Sequence, residues 1–473
     1  MLPLLGLNAC GGGGGDESAE MPPAAVRSLA YVLTDCEGDL LQGATMRQSL
    51  RIRQDDQEIT VVEHSAEGGV EMTIICAGIG TNRQAPSCAR RGVFHRLGVS
   101  PDGSQVVFEV TDEHPLTIFP QNTLPTDQKG IFAVRADGNE VRRLGPPSRD
   151  PPYVGFYQSH PFFAFSPDGS KVAYTDRSSD NPDAVQISTL DTTTGVIQQL
   201  THLPPAGVYD AILGRIDDTC CPVFTDNQSV TFLTYADVNG ENPQHHKISV
   251  SVKTDGTGDL TVGPLAVAIR GSQLVTIFHI TGSDVGAALL TRPGTPLNPP
   301  PLTVPPIEEL FAVSGDDILQ LTNFRRWETG APTLSADGQR VFFPASPPSA
   351  TNPTEDCQIW SIDPVGGDLR QLTHLHEGER STAGCALTLA PPNGCFVHFL
   401  GRDVQTDDLV FFSTCNPLRT NPYGTQVFAV HQDGTGLRQL THARGYSRDD
   451  ASGSVSVELP YPFANPGNNA PSS

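Results

Sequence analysis

Histidine and cysteine are the residues of this chain best suited to chemistry, and few of them stand in spacings that use it. A serine nucleophile on an α/β-hydrolase elbow needs G-x-S-x-G, and the chain has no such pentapeptide. His245-His246 follows Asp237, Asn239 and Glu241, alternating oxygen ligands of the kind calcium loops use. "DVNGENPQHH" lacks the rest of that motif, however, and reads as a solvated loop. No C-x-x-C and no zinc-type Cys/His spacing occurs, so no metal site is expected. His202, His374 and His442 each close a copy of "LTH"; they recur because a unit recurs, and read as structural or surface residues. Cys395 and Cys415 flank a hairpin symmetrically about Gln405 and form the leading disulfide pair. Cys76 and Cys88 bracket an insertion and form a second. Vicinal Cys220-Cys221 reads as two reduced core thiols. No catalytic residue and no cofactor is assigned.

The elements that carry these residues come from a repeat. "LRQLTH" stands at 369–374 and again at 437–442, "IQQLTH" at 197–202 and "ILQLTN" at 318–323. Reading backwards, "FSPDGSKVAYTDR" (165–177), "LSADGQRVFFPAS" (334–346) and "VSPDGSQVVFEV" (99–110) open the same unit. In Ser166-Pro167-Asp168-Gly169, proline presets the turn, aspartate bonds the local backbone and glycine accepts positive φ. Alternating β-branched and aromatic strands follow, and "DPVGGD" or "HQDGTG" supplies another turn. The unit is a four-stranded antiparallel meander. Radial stacking buries its two faces and leaves few exposed edges.

These motifs resemble the TolB-type β-propeller blade, a relative of the WD repeat. The resemblance covers most of the chain and implies an all-β propeller. Degenerate copies are read at 222–263, at 265–322 (where "LAVAIRGSQLVTIF" has lost Pro-Asp) and at 395–442. "SLAYVLTD", "SLRIRQDD" and "EITVVEH" (28–64) supply three strands of a further blade, and "SVSVELP" (454–460) its missing inner strand. The expectation is a seven-bladed propeller over 28–460, with six or eight blades left open, closed by a C-terminal strand that completes the N-terminal blade, with a disordered tail at 461–473. In that frame His160, in "QSHPFFAFSPDG", precedes an inner strand and is a candidate ligand-binding residue at the channel mouth.

Residues 1–27 are read as a signal remnant and tether. "LNAC" followed by Gly11–Gly15 resembles a bacterial lipoprotein signal, which implies acylation of Cys10 and anchoring at the outer membrane, on its periplasmic or surface face. Such an exported chain permits disulfides. The 46 glycines and 41 prolines suit a turn-rich β protein. A net charge of −23 argues against nucleic acid, whose phosphates need clustered Lys and Arg. No apolar run is long enough for a transmembrane helix, so membrane contact is expected through the lipid alone. The functional expectation is a monomeric, non-catalytic binding propeller of the cell envelope with a protein or other envelope partner. The alternative is a propeller hydrolase or lyase with its active site at the channel mouth.

Overall fold

The structure is a computed structural model. It describes residues 28–37, 45–54, 57–67, 93–112, 124–149, 163–178, 182–205, 209–210, 214–215, 219–242, 248–262, 275–277, 286–292, 307–314, 317–322, 324, 332–335, 337–353, 355–375, 380–381, 394–395, 397–403, 405–413, 415–420, 426–443 and 452–461. Cys10, Cys76, Cys88, His160, His245 and His246 lie outside these residues, as do the expected tether and tail.

The chain is an all-β propeller of four-stranded antiparallel blades. Its N-terminal strands are β1 (Ser28–Glu37), β2 (Thr45–Gln54) and β3 (Gln57–Glu67). The first continuous blade follows: β4 (Phe94–Val99), β5 (Gln105–Val110), β6 (Gly130–Arg135) and β7 (Arg142–Gly145). The next is β8 (Ala164–Phe165), β9 (Lys171–Arg177), β10 (Val185–Asp191) and β11 (Ile197–Gln199). A small hairpin, β12 (Tyr209–Asp210) and β13 (Gly214–Arg215), precedes the blade of β14 (Cys220–Asp226), β15 (Ser229–Thr234), β16 (Ile248–Lys253) and β17 (Leu260–Val262). Then come β18 (Val275–Ile277), β19 (Gly286–Arg292), β20 (Ile307–Ser314) and β21 (Asp317–Gln320). The fifth is β22 (Thr333–Leu334), β23 (Val341–Ala345), β24 (Gln358–Ile362) and β25 (Arg370–Gln371). A parallel pair, β26 (Arg380–Ser381) and β27 (Gly394–Cys395), leads to β28 (Val397–Arg402), β29 (Leu409–Ser413), β30 (Gln426–Val430) and β31 (Arg438–Gln439). The last strand is β32 (Ser452–Tyr461).

Two expectations need correction. The expected seven blades resolve into six that are each written by one continuous run of chain, and one sheet of another kind, ordered β3-β2-β1-β32. The reason is that β1–β3 supply three strands only. The inner position beside β1 is taken by β32, with Leu33 opposite Val457 and Val32 opposite Glu458. The second correction concerns the degenerate blade at 265–322. There "QLVTIF" was expected as the second strand, but Val275–Ile277 is the inner strand and Gly286–Arg292 the second. With Ser-Pro-Asp-Gly gone, no local turn fixes the register, and the apolar "GAALLTR" pairs instead with Ile307–Val313.

The core lies between the sheets. Val107, Ile131 and Leu144 of one blade pack on Phe165, Val172 and Tyr174 of the next. Phe342 and Ile359 meet Val397, Phe399, Phe411 and Phe428 in the same way. Inner strands approach closely: a Cβ on Gly98 would stand 2.6 Å from the carbonyl oxygen of Phe163, so only glycine fits there.

Candidate functional site

The meander gives the propeller two unlike faces. One carries the tight turns within each hairpin, such as 100–104, 166–170, 192–196, 335–340, 363–369 and 431–437. The other carries the described ends of the remaining connections, such as 111–112, 124–129, 146–149, 235–242, 346–353 and 372–375.

The tight-turn face is locked by its own side chains. Ser166 Oγ donates to Asp168 Oδ1 at 2.7 Å, Ser170 N donates to the same oxygen at 3.0 Å, and Gly169 N closes on Ser166 O at 2.9 Å with φ +72°. Ser100–Asp102 and Ser335–Asp337 repeat the arrangement. Burial pushes the Asp102 and Asp168 carboxyls up, but the hydroxyl and amide donors outweigh it and hold both below the usual carboxylate range. Asp408 sits on this face too: burial raises it, yet Arg438, Thr406 and His431 bring it below the ordinary value.

The repeated "LTH" is likewise structural. Thr373 Oγ1 accepts from Ile359 N at 2.8 Å and donates to the buried Gln358 Oε1 at 2.9 Å, which also accepts from Leu375 N. Thr201 with Gln186, and Thr441 with Gln426, make the same clamp. His202, His374 and His442 are exposed beside it, in accord with the reading of these histidines as structural or surface residues. In the 235–247 connection Asp237 Oδ1 accepts from Asn242 N at 2.8 Å, which folds the loop on itself.

Beneath the long-connection face lies a polar cluster that the sequence did not single out. Arg96 of β4 and Glu109 of β5 stand opposite each other, with side chains 6% and 0% exposed and Nη1 2.7 Å from Oε2. Arg96 Nη1 also donates to Ser148 Oγ, and Nη2 donates to Thr175 Oγ1 of the next blade at 3.0 Å. Its guanidinium lies 6.0 Å from the centre of the Tyr174 ring, and burial pushes the Tyr174 hydroxyl up. Two carboxylates hold the start of the 146–163 connection by its backbone: Ser148 N donates to Glu109 Oε1 at 2.5 Å, and Arg149 N to Asp176 Oδ1 at 2.6 Å. Burial raises the Asp176 carboxyl above its ordinary value despite these donors and the nearby Arg96. The available signal was a glutamate within "QVVFEV", whose neighbours are all core residues. The connection clamped here is the one that carries His160.

Cys395 stands in β27, and Cys415 is buried and disulfide-bonded. Cys357 is disulfide-bonded as well, which the sequence reading did not anticipate. Among the described residues no group of three or more His, Cys, Asp or Glu is placed to hold a metal ion.

No family model and no curated protein matches the chain. Solved β-propellers do. The propeller domain of the trilobed protease from Pyrococcus furiosus is 10% identical, with a TM-score of 0.44 over 75% of this chain and 85% of that one. The TolB structure from Agrobacterium tumefaciens is 13% identical, with a TM-score of 0.31 over 92% and 99%. An oligogalacturonate lyase from Vibrio parahaemolyticus is 9% identical, with a TM-score of 0.42 over 88% and 96%.

Proposed function

We propose that the chain is a non-catalytic binding propeller of the bacterial cell envelope, anchored through a lipid on Cys10. It presents its long-connection face and channel mouth, with His160, to a protein or other envelope partner. The observation that carries this reading is the division of labour between the two faces. Ser–Asp pairs tie three tight turns on one face, while the longer connections leave from the other, and loops on a rigid scaffold are where binding residues concentrate. A second reading, a hydrolase or lyase, draws on the Arg96–Glu109–Asp176 cluster, since buried charges under loops are where reactive groups are tuned. Two structural proposals accompany the first. The composite sheet closes the ring between the first continuous blade and the last. Cys415 pairs with Cys395: Val397 stands opposite Ser413, and the two cysteines lie two residues beyond these in the sequence.

A photo-crosslinker tests the binding reading. Placed at exposed Thr351 on the long-connection face, it should trap an envelope component that the same group at exposed Thr193 on the tight-turn face does not. Equal labelling from both, or labelling from Thr193 alone, sinks the reading. Turnover of ester or oligosaccharide substrates that is lost in Glu109→Gln would instead favour the enzyme. Metabolic labelling with an alkyne fatty acid, compared in Cys10→Ala, tests the anchor.

A further inference from the structure

Cys357 lies where the 346–357 connection enters β24, on the long-connection face. Cys357 and Cys415 are both disulfide-bonded, and each is 1% exposed in the apolar cluster between the β22–β25 and β28–β31 blades. The sequence holds no other cysteine between Cys221 and Cys385, whereas the β22–β25 blade runs only from Thr333 to Gln371. Cys357 therefore has no partner within its own blade, and its bond must leave it. The direction is given by its sulfur, 3.9 Å from the carbonyl oxygen of Val397, the first residue of the next blade's inner strand. Cys395 is two residues before Val397, and Cys415 shares the cluster with Val397, Phe399 and Phe411.

We propose that Cys357 forms an inter-blade disulfide, stapling the β22–β25 blade to one of the next three cysteines in the sequence: Cys385, Cys395 or Cys415. Formation removes two protons and one electron pair from two thiols. Thiol–disulfide exchange passes that pair to the disulfide of a protein dithiol oxidant, which leaves as a dithiol. The rest of the seam is apolar. The staple ties the two blades at this seam, and does so only in an oxidising compartment.

The full chain, exported to the periplasm of a bacterial host, is alkylated and digested without reductant. The expected map links Cys357 to Cys385, Cys395 or Cys415. An alkylated Cys357, or a link to any other cysteine or to a second chain, overturns the proposal. A Cys357–Cys395 link supports the staple while ending the Cys395–Cys415 pairing, so the two ideas fail separately. Hydrogen exchange on the same protein reads the consequence. Amides of 358–362 and 397–399 should exchange at least about tenfold faster after reduction, with those of 172–175 unchanged, as expected of a local opening. Reduction that leaves the seam amides unmoved rejects the staple's role.

Discussion

Thr373 explains at the scale of one residue why the chain repeats six letters. Its hydroxyl satisfies a strand N–H and a buried glutamine oxygen together, so its loss strands both in the core. Thr373→Val should cost about 1–3 kcal/mol in urea unfolding, the penalty of an unsatisfied buried polar group. His374→Ala, one position on and exposed, should stay within about 0.5 kcal/mol. The turn half of the motif was legible, because Ser, Asp and Gly act within five residues. The clamp was not, because Gln358 and Thr373 are 15 positions apart and meet only once the blade forms. Asp337 extends the argument to pH. The Ser335 hydroxyl, then the Gln339 amide, hold its carboxyl below the usual range. A lowered folded value contributes stability above the unfolded pKa, about 3.9, that is lost as pH falls through the folded value. Asp337→Asn should therefore be less stable than the parent at pH 7, and the gap should close below about pH 4 in thermal melts.

At the scale of elements, a buried ion pair sits in the seam between the β4–β7 and β8–β11 blades. Glu109→Gln leaves Arg96 charged in the interior and should cost about 3–5 kcal/mol, read by denaturant unfolding. A loss under 1 kcal/mol would mean that water reaches the pair. Asp176 behaves with the opposite sign from Asp337. Its folded value is raised, so its contribution favours folding at low pH and is lost as pH rises through that value. Asparagine keeps an oxygen for Arg149 N and Arg177 N without the charge. Asp176→Asn should melt at or above the parent temperature at pH 7 and match it at about pH 3. Seams of this kind escape a sequence reading, since strand patterns show which residues are buried but not which neighbouring blade they meet. The same limit explains β18 and β19. Without a Ser-Pro-Asp-Gly turn, "QLVTIF" and "GAALLTR" compete for the second position, and pairing with β20 decides for the latter.

For the whole molecule, the question is how a chain with two ends becomes a ring. The inner strand of the composite sheet was legible as "SVSVELP", because three N-terminal strands lacked a partner and the far end offers an alternating strand outside the repeats. The structure pairs β32 with β1 from Ala30–Tyr461 to Glu37–Ser452, with two register shifts. The sheet it completes touches both neighbours. Ala30, Val32, Leu50 and Ile52 pack on Leu97, Val99, Val106 and Phe108 of the first continuous blade. On the other side, Leu29, Tyr31 and Leu33 pack on Val410, Val427 and Ala429 of the last. Ser28 ties the same junction, with its N–H donating to Gln405 Oε1 and its hydroxyl to Gly103 O. Removing β32 would expose the inner edge of β1 and loosen two apolar seams at once. The ladder bonds alone contribute roughly 1 kcal/mol each, against about 5–15 kcal/mol for a whole domain. Truncation after Arg448 should therefore lower the melting temperature sharply and promote aggregation, whereas truncation after Phe463, beyond β32, should change little. Calorimetry and light scattering on the two truncated proteins check this. If both melt with the full-length chain, β32 does not hold the ring, and the composite sheet is an appendage rather than a part of the ring.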